Sequence, residues 1–262
     1  MISKFPKPLS ERFGIIHHKA LNTRENLDAA LKIATKYDDQ LHIFEGDICW
    51  YFDKGTDKFG YYFFHPHYGF DRLTGEQVAK RNKTGGVLTL QDIIDVVPDN
   101  ILLIIELKVG TGNMSTCFDQ LLPKLQNDLA GRFWVDTFSK KQLAMVRAKD
   151  ASIPITMHTE RIVGNKLWTL VPEWPSFYTT ELSELDWLDG FSIRHWKNYA
   201  SIAKAAKHVT KKNKALFISR IFTASKLKQS LKLGANAGYF ETQDIEKLMP
   251  IIQAHEPASE NN

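Results

Sequence analysis

Cysteine is nearly missing: Cys49 and Cys117 are the only two in 262 residues. Two thiols build no disulfide framework, and their spacing matches no metal-binding pair. A stapled secreted scaffold is therefore excluded, and both read as small apolar core residues. Long apolar runs are missing too. No stretch approaches the ~20 residues of a membrane helix, and Met1 to Ser10 holds no signal-type apolar segment, which predicts a cytoplasmic chain with no stable membrane insertion. Charge of one sign is not concentrated. The formal net charge is +4, and Lys140-Lys141 and Lys211-Lys212 are doublets rather than a basic tract, so no nucleic-acid partner is expected. No solenoid repeat and no low-complexity tract interrupts the chain.

What is present has a globular balance, with 43% hydrophobic and 24% charged residues, enough to bury a core without cross-links. The length is close to the ~250 residues of one (β/α)₈ barrel. Short β-rich runs alternate with amphipathic ones. Strands are expected at Phe13 to Ile16, Leu41 to Trp50, Tyr61 to Phe64, Asn100 to Glu106, Arg132 to Val135, Ile153 to Met157, Leu188 to Ile193, Ala215 to Ser219 and Ala237 to Phe240. Thr23 and Thr89 open helices, Ser139 with Gln142 reads as a capping box, and Thr242 caps the last helix. The near-continuous apolar run Asn100 to Glu106 marks a strand covered on both sides. Val171 to Tyr178 reads as a long loop. Together these predict an α/β chain: a single (β/α)₈ TIM-type barrel over residues 1–255, a small inserted strand or hairpin after the second strand, and a frayed tail at 256–262.

Polar groups collect where these strands end. Glu45 and Asp47 lie two apart and share a face, as do Glu106 and Lys108. His17-His18 ends the first strand, His65 ends the aromatic run, and His67 follows. In a barrel such positions converge at one mouth. Three carboxylates gathered there repel one another without a cation, and oxygen-only ligands suit Mg²⁺ or Ca²⁺. Two flanking histidines can trade a proton, and a lysine adds a fixed positive donor. Adjacent strand residues face opposite ways, so only one of His17 and His18 can reach the mouth; the choice between His65 and His67 is open in the same way. The duller readings are a solvated strand edge for Glu45 and Asp47, and a surface ion pair for Glu106 and Lys108. Later strand ends place His158, Trp196, Arg220 and Phe222 as candidate substrate contacts. The guanidinium of Arg220 can grip two oxygens of a phosphate or carboxylate, or else pair with Glu241.

The order of these residues resembles the glycerophosphodiester phosphodiesterase family. The family's His-Arg-Gly and Glu-Asn-Thr are matched by His17-His18-Lys19-Ala20 and Leu21-Asn22-Thr23, its Glu-x-Asp by Glu45-Gly46-Asp47. Its second histidine before Asp-Arg-x-Thr-Gly is matched by His65 before Asp71-Arg72-Leu73-Thr74-Gly75. Leu88 to Asp92 and Glu106-Leu107-Lys108 follow, and Asp136 to Ser139 and Gly234 to Gly238 are fainter matches. The chain departs from the family in having Lys19 or His18 for the first arginine, Pro66 for an aspartate, and no late Trp-Thr-x-Asn. The His-Pro at His65 is similar to the sphingomyelinase D-type phospholipases and the menorin-type proteins. The resemblance implies a metal-dependent phosphoric diester hydrolase, with a small-molecule phosphodiester as its partner. Its site would have His18, His65 and Lys108 as catalytic residues and Glu45, Asp47 and Glu106 as ligands of one divalent cation, Mg²⁺ or Ca²⁺. His17, Lys19, His67 and Arg220 would touch the substrate, a glycerophosphodiester or related phospholipid-headgroup diester. Attack by a neighbouring substrate hydroxyl, through a cyclic phosphate, is part of the same implication. The alternatives are a phospholipase D-like enzyme releasing that cyclic phosphate, and a non-catalytic barrel that binds a headgroup or a protein.

Overall fold

The computed structural model describes residues 4–66, 72–129, 131–159, 161–163, 166–170, 177–194 and 199–255. Eight strands run parallel: β1 (Gly14–His17), β2 (Leu41–Asp53), β5 (Leu102–Gly110), β6 (Phe133–Thr137), β7 (Ile155–Thr159), β11 (Gly190–Arg194), β12 (Ala215–Ser219) and β13 (Ala237–Phe240). β1 pairs with both β13 and β2, which closes the sheet into a barrel with no free edge. Helices α2 (Arg24–Lys36), α5 (Met114–Asp128), α6 (Lys140–Lys149), α7 (Tyr199–Lys211), α8 (Ala224–Lys232) and α9 (Thr242–Gln253) follow barrel strands, and the short α1 (Pro8–Glu11) precedes them. Among the described residues no helix is long and apolar enough to cross a membrane.

The expected insertion follows the second strand. β2 runs on past the barrel and folds into an antiparallel hairpin with β3 (Lys58–Phe63), which leads through α3 (Gly75–Asn82), β4 (Leu88–Thr89) and α4 (Leu90–Val96) to β5. β8 (Arg161–Val163), β9 (Lys166–Leu170) and β10 (Phe177–Glu181) form a separate antiparallel sheet; of the loop expected at Val171 to Tyr178, Phe177 and Tyr178 open β10 and the rest lies outside the described residues. Thr23 and Thr89 cap α2 and α4 as expected. Ser139 caps α6, but no reciprocal bond closes a box there. The Gln142 side chain instead bonds Thr137 Oγ1 and the Lys108 carbonyl, tying α6 to two strand ends.

Alternation along the barrel strands sorts their apolar side chains into two main cores, and a third, smaller cluster of Cys49, Tyr62, Leu73, Val78 and Val87 lies at the hairpin insertion. Ile15, Phe44, Leu103, Ile105, Leu216 and Ile218 face outward into the layer under the helices. Ile16, Ile43, Leu102, Ile104, Trp134, Ala215, Phe217, Ala237 and Tyr239 face the barrel axis. Phe5 and Leu9 join this inner set. Phe5 meets Trp134 and Phe217 edge-on at 5.5 and 5.8 Å. Toward the C-terminal strand ends the same inward positions turn polar: Glu45, Asp47, Glu106, Asp136 and Ser192, each at most 6% exposed. A packed apolar floor under a polar mouth is the arrangement that puts barrel chemistry at that end.

Candidate active site

β1 delivers two histidines to opposite faces. Ile16 faces the axis, so His18 does too, and its backbone N–H continues the ladder to the Phe240 carbonyl at 2.9 Å. His18 lines the mouth, with Nδ1 2.8 Å from Glu241 Oε1. His17, expected to touch substrate, faces the other way. It is fully buried behind the strand against Phe44, its ring centroid 5.0 Å away. His42 Nε2 lies 2.8 Å from the Tyr37 carbonyl and must donate to it; His42 Nδ1 then accepts from His17 Nε2 at 2.9 Å. Burial, then the neighbouring His42, holds His17 well below the ordinary imidazole range, as a neutral ring. This corrects its assignment: the buried ring is not among the residues that line the mouth.

The carboxylates meet where β2 and β5 pair with Asp47 opposite Glu106. One oxygen each from Glu45, Asp47 and Glu106 lie within 4.8 Å of one another. Lys108, two residues past Glu106 on the same face, inserts its ammonium between two of them, 2.7 Å from Asp47 Oδ1 and in contact with Glu106. Asp47 is also locked by Asn22, which donates to Oδ2 at 2.6 Å and accepts from the Asp47 backbone at 2.9 Å. Burial works against the Asp47 charge, yet Lys108, His65 and these hydrogen bonds bring its pKa down to about 2. Glu45 fares differently. Its Oε2 accepts the Lys19 backbone N–H at 2.6 Å, while buried Oε1 has no partner. Burial, then Asp47 and Glu106, pushes its pKa well above the ordinary carboxylate range, and burial raises Glu106 too, against the pull of Lys108. One ammonium does not neutralise three buried carboxylates. An orphaned buried oxygen in an all-oxygen set is what a hard divalent cation fits.

His65 sits just beyond β3, where the Phe64 N–H binds the Asp47 carbonyl at 2.8 Å. The residue is exposed at the mouth, yet desolvation by the surrounding protein lowers its pKa, against the pull of the Asp47 carboxylate. Lys19 lines the same cavity, which occupies about 540 Å³. Its φ of 58° departs from strand geometry and brings His18 and Lys19 to one side. His67 and Trp196 lie outside the described residues.

The opposite wall comes from later strands: Phe138, His158, Arg194, Ser219, Arg220, Phe222 and Tyr239. Arg220 reaches the cavity, and Glu241, its alternative partner in the sequence, is bonded to His18 instead. Sequence reasoning named His158 but gave no role to the group behind it. Asp136 Oδ2 accepts from Ser192 Oγ at 2.8 Å and Tyr239 OH at 3.0 Å. His158 Nδ1 stands 3.7 Å from the same oxygen, an ion-pair distance too long for a hydrogen bond. Burial disfavours the charged His158 ring, but Asp136 outweighs it and its pKa rises. The available signal was register: Asp136 pairs with Glu106 and continues the inward face of Trp134.

No protein-family model matches the chain, and no curated protein does. Solved structures match along its length. It is similar to a glycerophosphoryl diester phosphodiesterase from Parabacteroides distasonis, at 13% identity and a TM-score of 0.64, over 99% of this chain and 93% of that one. A second glycerophosphodiester phosphodiesterase from that organism matches at 11% and 0.61, over 93% and 98%. An Oleispira antarctica phosphodiesterase, solved in complex with the product sn-glycerol-3-phosphate, matches at 14% and 0.62, over 93% and 97%. At such identities the likeness establishes architecture: the chain has the (β/α)₈ barrel fold that these phosphodiesterases adopt.

Proposed function

We propose that this barrel is a metal-dependent phosphodiesterase acting on a glycerophosphodiester or a related phospholipid-headgroup diester. The observation that carries the reading is the gathering of Glu45, Asp47 and Glu106 with His18, His65 and Lys108 at one mouth. The motif order and the named activity of the structural neighbours support it.

Glu45, Asp47 and Glu106 would hold one Mg²⁺ or Ca²⁺, which supplies positive charge against the phosphate oxygens. Lys108 stays charged throughout, since the two carboxylates beside it raise its pKa despite burial, and it would steady charge building on the phosphoryl group with Lys19. His18 and His65 would exchange the proton. His65, kept neutral near pH 7 by its lowered pKa, is in the form that takes a proton from an attacking hydroxyl. His18, with Nδ1 occupied by Glu241, would offer Nε2 to the cavity that it lines and protonate the leaving alkoxide.

Purified protein should hydrolyse bis(p-nitrophenyl) phosphate or glycerophosphocholine with Mg²⁺ or Ca²⁺ and stop on chelation. Phosphorus NMR then separates a monoester product from a cyclic phosphate. No turnover of any diester in a broad panel with either ion would sink the enzymatic reading and leave a binding barrel.

A further inference from the structure

The wall opposite the carboxylates has a chemistry that the phosphodiesterase reading does not use. Ser219 continues the inward face of Ala215 and Phe217 and lines the cavity. It is 6% exposed, and its hydroxyl has no hydrogen-bond partner. A buried hydroxyl left unpaired marks a place where a ligand atom belongs. Arg220 follows it. In a regular strand these neighbours would face opposite sides, but the φ of Arg220 is 66°, and both line the cavity.

A left-handed arginine persists only where its surroundings hold it. Here Ile221 is fully buried, with its N–H on the Tyr239 carbonyl at 3.3 Å. Lys226 Nζ donates to the Arg220 carbonyl at 3.4 Å and sits 5.5 Å over the Phe222 ring. Phe222, 38% exposed, is the exposed large hydrophobic residue among those described, and it lies on this rim. Among the described residues no carboxylate forms an ion pair with Arg220, and Glu241 is bonded to His18. The backbone is therefore held so that Arg220 lines the cavity, and its guanidinium is not neutralised by a carboxylate among the described residues.

We propose that this wall is a second anion subsite. The preferred diester carries, on its distal alcohol, a further phosphate or carboxylate that accepts hydrogen bonds from the Arg220 guanidinium and the Ser219 hydroxyl. The proposal rests on the phosphodiesterase reading for where the first phosphate lies. It disfavours choline and ethanolamine headgroups, whose cation would face the guanidinium.

The test uses hydrolysis-resistant phosphonate analogues of three diesters with Mg²⁺ present: glycerophosphoglycerol, its terminal phosphate, and glycerophospholactate. Calorimetry should find at least one anionic analogue bound about tenfold tighter than the neutral one, the scale of a charge-assisted contact. The phosphate and lactate arms tell the two anions apart. Arg220→Gln should erase the preference and Arg220→Lys should keep part of it. Arg220→Gly removes the grip while relaxing the left-handed backbone, so it should lose the preference without lowering the melting temperature. Equal binding of all three analogues, no binding of any, or a preference surviving Arg220→Gln would overturn the subsite. Turnover of the natural diesters is read separately. Anion preference without turnover keeps the subsite and ends the phosphodiesterase reading; turnover without preference does the reverse.

Discussion

At the residue scale, the first strand end shows where sequence stops and structure begins. His17 and His18 are chemically identical neighbours, and alternation says only that they part. The pairing of β1 with β2 and β13 puts His18 at the mouth and His17 behind the strand. Their substitutions should therefore differ in kind. His18→Ala and His65→Ala should each slow diester turnover on the order of 10²-fold or more, and the double variant by less than the product, because the two exchange one proton. His17→Ala leaves a cavity and strips His42 of a partner, so it should cost roughly 2–4 kcal/mol in urea unfolding while kcat/KM holds. A His17→Ala protein of native stability and lost activity would return that residue to the site. Glu241 and Asn22 were harder to find. Each acts on another side chain, His18 or Asp47, and nothing local in the sequence names the residue it acts on.

At the element scale, Gly46 is the position that lets β2 carry two carboxylates. It lies between Glu45 and Asp47 but faces outward, where a Cβ would come within 2.5 Å of Leu21 Cβ and 2.7 Å of the Phe63 ring. The Leu21 N–H also binds the Glu45 carbonyl at 3.1 Å. The loop after β1 and the hairpin strand β3 thus press on the strand at the point where the ligands project. Gly46→Ala should cost on the order of 1–3 kcal/mol by overpacking and weaken divalent binding, measured by chemical unfolding and calorimetry on the same preparation. Native stability and native affinity would show that the strand yields freely. The barrel strands were legible because buried parallel strands are short apolar runs, and β5 is the clearest case. The hairpin was legible because aromatic Tyr61 to Phe64 follows a turn-rich stretch. The separate sheet of β8 to β10 has no counterpart among the expected strands, although Gly164-Asn165, between two short β-rich runs, is a hairpin dipeptide.

At the scale of the whole molecule, two buried sets of titratable groups pull stability in opposite directions with pH. His17 and His42 are held below the ordinary 6.5, mainly by burial. Unfolding there takes up protons, so their contribution is lost as pH falls below about 6.5. Glu45 and Glu106 are held above the ordinary 4.5, by burial first. The folded chain keeps protons that the unfolded chain releases, so stability falls as pH rises from about 4.5 toward the folded values. Metal-free protein should therefore be most stable in the mildly acidic window between these limbs. A divalent cation acts on the second limb, because it competes with protons for the same oxygens. Millimolar Mg²⁺ or Ca²⁺ should then raise the melting temperature little at about pH 5 and by several degrees at about pH 7.5, as ligand linkage requires. Thermal melts at the two pH values, with and without the ion, measure this directly, and the Glu45→Gln, Glu106→Gln double variant is the control. That variant should lose both the alkaline decline and the response to the ion. An equal shift at both pH values, or one that survives the double substitution, would place the cation elsewhere and detach the histidines from it.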